Sequence, residues 1–163
     1  MTASSDRPLS ASAQKVQDAL RAEGLELQVI ELAVPVRTAA DAAREVGCEV
    51  GQIVKSLIFR AAHSDRGVLV LTSGANRVNE ARITELLGEP IERAHPDFVR
   101  QRTGFAIGGV PPIAHVTAFV TFIDEDLLRL ESLWAAAGHP NSLFELRPAD
   151  LTRLAHGTVT RVT

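Results

Sequence analysis

Hydrophobic and polar positions change period several times along this chain, and each change marks an element. Over residues 10–22, Val16, Ala19 and Leu20 fall on one face, Ser10 or Ser12 can cap the start, and Gly24 stops the run, which predicts a helix. Residues 25–32 (LELQVIEL) alternate apolar and polar, the signature of a half-buried strand. Thr38 opens a second helix, with Asp41 completing a variant of the capping box; Ala39, Ala42, Ala43 and Val46 form its small apolar stripe and Gly47 ends it. Residues 53–59 (IVKSLIF) and 68–72 (VLVLT) read as buried strands joined by a polar connection. Asn79 caps a helix that turns Ile83, Leu86 and Leu87 inward and stops at Gly88. A short helix over 97–102 follows Pro96, and residues 116–123 (VTAFVTFI) predict the longest strand. Beyond it come a short helix near 125–130, a strand over 142–146, a last helix from Pro148 and an edge strand within 157–162. Strands and helices interleave without a strict βαβ rhythm. The expectation is one α/β domain over residues 10–163 built on a mixed sheet, behind a frayed polar segment, 1–9.

Composition narrows the class. Apolar residues are 45% and charged residues 23%, an ordinary globular balance, and the core must be aliphatic because the aromatics are six Phe and one Trp. One cysteine, Cys48, excludes an internal disulfide framework and fits a reducing compartment. The N-terminus lacks the apolar core of a signal peptide and no apolar run is long enough to span a bilayer, so the cytoplasm is the expected location. A net charge of −3 argues against broad, phosphate-driven binding to nucleic acid, while leaving room for a local basic rim.

Three stretches offer chemistry. Lys55 interrupts the apolar row Ile53, Leu57, Phe59. It is either an edge-strand lysine reaching out to water or a lysine at a cleft that binds an anionic or carbonyl-bearing ligand. TSGANRVN (72–79) joins a strand to a helix, where α/β folds present ligands: Thr72 and Ser73 carry hydroxyls and Gly74 permits close backbone approach. Taken by itself, the stretch reads first as a plain loop ending in the Asn79 cap. TGFAIGGVPPIAH (103–115) is either a rigid turn or a loop that aims backbone N–H groups at a carbonyl oxygen. It matches neither the Walker nor the dinucleotide spacing. His63, His95, His115, His139 and His156 are scattered, and Asp124, Glu125 and Asp126 sit where acids favour a helix start, so no metal set emerges. Cys48 reads as inert, and Trp134 as core.

The stretches GQIVKSLIFR (51–60), VLVLTSGANRVN (68–79), RTGFAIGGVPPIAH (102–115) and FIDEDLL through WAAAGHPNSLFEL (122–146), in this order, resemble the YbaK/EbsC family, the prolyl-tRNA synthetase editing-domain superfamily. The resemblance covers roughly residues 10–160. It implies a central mixed, partly curled sheet flanked by helices. It also implies deacylation of mischarged tRNA in trans, without metal or cofactor, at the acceptor end, with prolyl-tRNA synthetase as an associated partner. Members act on cysteinyl-tRNA(Pro) or alanyl-tRNA(Pro). The family's functional lysine falls on Lys55, and the loop that faces the ester carbonyl falls on Gly108, Gly109, Val110 and Pro111. The ligand pocket draws on Thr72, Ser73 and Gly74, with Asp124 at an acidic rim. A catalytically silent tRNA- or nucleotide-binding module is the alternative use of the same fold. Some cysteine-specific members carry a tyrosine near the pocket, and this chain has none. Val36 and Arg37 are further candidate specificity residues.

Overall fold

Nine residues, Ile53–Ala61, form β2, the strand around which the sheet is built in this computed structural model. The structure describes residues 7–163. Most of the segment expected to fray, residues 1–6, lies outside the described residues, whereas Leu9 packs against the larger core cluster.

In chain order the elements are α1 (Ala11–Ala22), β1 (Val29–Glu31), α2 (Ala39–Val46), β2, β3 (Gly67–Ser73), α3 (Glu80–Leu87), β4 (Ile91–Arg93) and α4 (Pro96–Thr103). They continue with β5 (Val120–Asp124), β6 (Leu133–Ala136), β7 (Ser142–Leu146), α5 (Pro148–Ala155) and β8 (Thr158–Thr160). Short 3₁₀ turns precede β2 and follow β5. The sheet runs β1-β7-β6-β2-β3-β5-β8, with β4 also paired to β2, and it is mixed and open at both ends. Pairs β2·β6, β3·β5 and β5·β8 are parallel; β2·β3, β2·β4, β6·β7 and β1·β7 are antiparallel.

The caps work as their residue types dictate. Thr38 Oγ1 accepts from Asp41 N–H at 3.0 Å and Asn79 Oδ1 from Arg82 N–H at 3.2 Å, each satisfying an orphan donor of the first turn. One face of the sheet buries Val54, Leu69, Leu71 and Ile123 against α1, α4 and α5; the other buries Phe59, Val68, Val70 and Phe122 against Ile83 of α3. A third cluster seats α2 through Ala42 and Ala43 on Ile53 and Leu143, the close approach that small side chains allow.

Two strands are shorter than their patterns. The run 25–32 yields only Val29–Glu31; on the edge of this segment away from β7 the Gln17 side chain takes Leu27 C=O and Val29 N–H, both at 2.8 Å. The run 116–123 yields only Val120–Asp124, because Val116 and Thr117 donate their N–H groups to Thr103 and Arg102 at the end of α4. The longest strand is therefore β2. Conversely β6, built around Trp134, carries ladder bonds as well as core contacts, and β4 had no periodic signal in its three residues.

The geometry of β2 sets up the site. One edge pairs with β3 continuously from Val54 to Arg60. The other edge is divided: β6 takes Ile53 and Val54, β4 takes Phe59, Arg60 and Ala61, and among the described residues no strand pairs with Lys55–Ile58 on that side. The four residues of the gap are half-buried in an otherwise well-covered strand.

Candidate active site

Lys55, Thr72 and Asp124 stand in a row across β2, β3 and β5. Lys55 is the ladder partner of Thr72, and Thr72 Oγ1 donates to Asp124 Oδ2 at 3.0 Å. Asp124 is 1% exposed, and a carboxylate so deep must be fully bonded. It is: Oδ2 also accepts from Ser73 N–H at 3.0 Å and from the Asn76 amide at 2.9 Å, and Oδ1 accepts from Asp126 N–H at 3.0 Å. The Asn76 amide also reaches Asp126 Oδ2 at 2.8 Å. Held this way, Asn76 turns its backbone carbonyl to Lys55, whose ammonium donates to it at 2.8 Å. Burial and the neighbouring Arg77 push the Lys55 pKa below that of an ordinary lysine, while the Asp124 carboxylate works in the opposite direction.

The 72–79 loop can take this shape because residue 74 is glycine. A Cβ there would sit 2.4 Å from Val50 O, which no side chain tolerates. Ser73 ties the same loop down by donating its hydroxyl to Gly51 C=O at 2.7 Å.

Lys55 opens onto a cleft of about 400 Å³, within the range of small-ligand sites. Its cations are Lys55, Arg77 and Arg93, against one carboxylate, Glu80. This local excess of positive charge sits on a chain of net charge −3. Arg77 and Val78 of the 72–79 stretch and Gly108 and Val110 of the 103–115 stretch line the same cleft, so all three sequence stretches converge on it.

The remaining predicted positions lie beside the cleft. Gly109 is outside the wall; its N–H goes to Ala106 C=O at 3.2 Å and its C=O accepts from Gly138 N–H at 2.8 Å. A Cβ at Gly109 would come within 2.7 Å of His139 N, so this glycine lets the loop lie against the 138–139 turn. The Gly108 N–H has no backbone partner among the described residues. Pro111 is buried and its C=O accepts from His115 Nε2 at 2.7 Å; burial pushes the His115 pKa below that of an ordinary histidine, while the bond to Pro111 works in the opposite direction. Thr72, Ser73, Gly74 and Asp124 form the support behind Lys55 rather than the wall. Val36 packs beside α2 and Arg37 is exposed, and neither lines the cleft. Among the described residues no three His, Cys, Asp or Glu side chains gather as a metal set, and no helix is long and apolar enough to cross a membrane.

Sequence reasoning passed over Arg77, Asn76, Arg93 and Ser56. The first two lie inside a stretch already singled out, but nothing in one sequence tells an asparagine that braces a lysine from a turn asparagine. Arg93 lies on a strand without a pattern.

A cationic cleft at a split in a mixed sheet, lined by a half-buried lysine and by a glycine loop, defines an α/β domain suited to an anionic ligand. Residues 33–154 match the aminoacyl-tRNA editing domain, and the chain belongs to that family. It is 28% identical to the uncharacterised protein YwhH of Bacillus subtilis over 134 residues, covering 82% of this chain and 85% of that protein. It is 32% identical to a proline–tRNA ligase of Bacillus licheniformis over 138 residues, 83% of this chain but only 23% of the ligase. A solved structure of a candidate trans-editing enzyme for prolyl tRNA synthetase superposes with a TM-score of 0.91 at 46% identity, covering 96% of this chain and 99% of that one.

Proposed function

We propose that this protein is a free-standing deacylase that hydrolyses mischarged aminoacyl-tRNA, with cysteinyl-tRNA(Pro) or another small amino acid on tRNA(Pro) as substrate. The observation that carries this reading is the convergence of Lys55 and Gly108, whose N–H has no backbone partner among the described residues, on one cationic cleft.

The substrate is an ester between an amino acid and a ribose hydroxyl of the terminal adenosine. Water attacks the ester carbonyl, the bond to the ribose oxygen breaks, and the ribose oxygen takes up a proton. The products are the free amino acid and tRNA with its hydroxyl restored. The Gly108 N–H holds the carbonyl oxygen as negative charge develops on it, a contribution of about 3 kcal/mol for one well-placed donor. Lys55, steered by the Asn76 carbonyl, binds the ribose–phosphate end. Gly109 and Pro111 shape the loop that presents Gly108, and Thr72, Ser73, Gly74 and Asp124 hold Asn76 in place. Val110 closes the wall behind the aminoacyl group. Arg77 and Arg93 receive the phosphates of the acceptor end, which only needs to enter locally. The step requires no metal or organic cofactor. Prolyl-tRNA synthetase, whose product the enzyme would correct, is the expected partner.

The test is deacylation of cysteinyl-tRNA(Pro) and alanyl-tRNA(Pro), with prolyl-tRNA(Pro) as control, by wild type and Lys55→Ala. Loss of one mischarged species that spares the control, and falls at least about a hundredfold in a folded Lys55→Ala, is the expected result. Equal activity of the two proteins would remove Lys55 from the reaction. Tight binding of charged tRNA without turnover would make the protein a binding module instead.

A further inference from the structure

The gap in β2 leaves a specific set of backbone groups open. Gly74 N–H donates to Ile53 C=O and Ala61 N–H donates to Arg66 C=O, so the odd-numbered residues of β2 direct their N–H and C=O groups toward β3. Ser56 and Ile58 therefore direct theirs to the opposite edge. That edge is covered by β6 only at Ile53 and Val54, and by β4 only from Phe59 onward. Within the cleft, the Ser56 C=O and the Ile58 N–H form an acceptor and a donor on one side of an extended strand, facing neither partner strand. A second observation points to the same place. Among the described residues, Ser56 Oγ is the buried side-chain oxygen or nitrogen that has no hydrogen-bond partner. Such groups in native proteins ask for an occupant.

The slot suits a flat, apolar-faced ring. Its walls come from both sides of the sheet: Leu57 and Val78 belong to the cluster under α3, and Val99 and Val110 to the cluster on the opposite face. A ring lying in the plane of the sheet, where a strand is missing, would be sandwiched between these side chains. Its edge must offer a donor to Ser56 C=O and an acceptor to Ile58 N–H. Adenine does so, through its exocyclic amine and the adjacent ring nitrogen N1. Hypoxanthine and guanine present the reverse, an acceptor and a donor. Arg77 and Arg93 on the rim of the same cleft provide for the phosphate attached to the nucleoside.

We propose that the uncovered Ser56–Ile58 edge of β2 reads the terminal adenine of the tRNA, completing the sheet with a base in place of a strand. This rests on the editing reading for the identity of the nucleic acid, but the edge itself is tested with free nucleotides. Adenosine, inosine and 7-deazaadenosine 5′-monophosphates are titrated into the wild-type protein while the backbone amide resonances are followed. The expected result is that adenosine monophosphate moves the Ser56 and Ile58 amides, with Ile58 shifting in the direction of a stronger hydrogen bond. 7-Deazaadenosine monophosphate, which keeps the read edge, binds equally, and inosine monophosphate binds at least about tenfold more weakly. Ser56→Ala removes the orphaned hydroxyl, so it is expected to weaken adenosine monophosphate binding a few-fold while leaving the melting temperature unchanged or raised. Equal binding of inosine and adenosine monophosphates overturns the proposal. So does a saturating or solubility-limited titration that leaves both amides unmoved, or a Ser56→Ala protein that melts lower yet binds normally.

A parallel deacylation assay uses mischarged tRNA ending in adenosine or in inosine and separates the two claims. Hydrolysis indifferent to the terminal base retains editing and sinks the edge. Base-selective nucleotide binding with no hydrolysis of either tRNA retains the edge and sinks editing.

Discussion

Replacing Asp124 by Asn tests whether the buried carboxylate organises the site. The two side chains share a shape, so the change is one of hydrogen-bond polarity. In the wild-type protein Oδ2 accepts three donors, from Thr72, Ser73 and Asn76, and Oδ1 accepts one, from Asp126 N–H. An asparagine must point its NH₂ group at one of these two sets. Facing Asp126 it opposes a single donor; facing the other side it opposes three, so the first orientation prevails. At least one enclosed donor then loses its acceptor, at a cost of about 1–3 kcal/mol. The three surviving bonds lose their charge and weaken further. For a chain of this length each kcal/mol corresponds to about 2–4 °C in melting temperature, so a fall of roughly 3–10 °C is expected. The assay is thermal unfolding followed by circular dichroism near neutral pH, beside deacylation. Activity should drop more than stability suggests, because Asn76 and the Lys55 ammonium it steers lose their fixed position. Thr72→Val removes one donor and leaves the others on a full carboxylate, so it should cost about 0.5–1.5 kcal/mol. The double variant should cost less than the sum, since the two share a bond. An Asp124→Asn protein that melts within about 1 °C of wild type would refute the reasoning, because no orphaned donor can be that cheap in a site this enclosed.

Other substitutions test other parts of the structure. Gly109→Ala places a Cβ 2.7 Å from the His139 backbone nitrogen, so the loop must move; a destabilisation of about 1–3 kcal/mol in urea unfolding, with reduced deacylation, is expected. Arg77→Ala and Arg93→Ala should each weaken charged-tRNA binding and flatten its dependence on salt, by about 0.7 in the slope of log K against log salt for each phosphate no longer neutralised, as read from binding across a salt series. Glu89 has its pKa lowered from 4.5 to about 2, chiefly by the backbone N–H of Ser64, with His63 and Arg66 contributing. Because the folded value lies below the unfolded one, its stabilisation is full above about pH 4.5 and is lost as pH falls toward 2. Melting temperature measured from pH 5 downward should therefore fall less steeply in Glu89→Gln than in wild type through that window.

The sequence carried the local signals well. Thr38, Asn79 and Pro148 mark helix starts and Gly47 and Gly88 mark ends, because capping depends on residues a few positions apart. Strand lengths were less legible. The 25–32 and 116–123 patterns are genuine alternations, but a partner strand meets only part of each: β7 reaches only Val29–Glu31, and the carbonyls of Arg102 and Thr103 take the N–H groups of Thr117 and Val116. The prominence of Lys55 was visible because a cation in an apolar row is costly. That it meets Gly108 was visible only through resemblance, since their segments are brought together by sheet order. The distinction between Gly108, which faces the cleft, and Gly109, which packs on the 138–139 turn, depends on contacts that no local pattern encodes.

The parallel pairing of β3 with β5, Val68 opposite Val120, has a consequence for how the protein comes into being. Asp124, at the end of β5, is the anchor on which Asn76 and then Lys55 depend. A chain emerging from the ribosome holds Lys55 and the whole β2–β3 hairpin well before β5 exists, and β6 arrives later still to pair with Ile53 and Val54. Contacts of such wide sequence separation form slowly, because a long loop must close before any of them repays the lost entropy. The lysine therefore acquires its fixed orientation late, and recovery of deacylation during refolding should trail the recovery of helical signal.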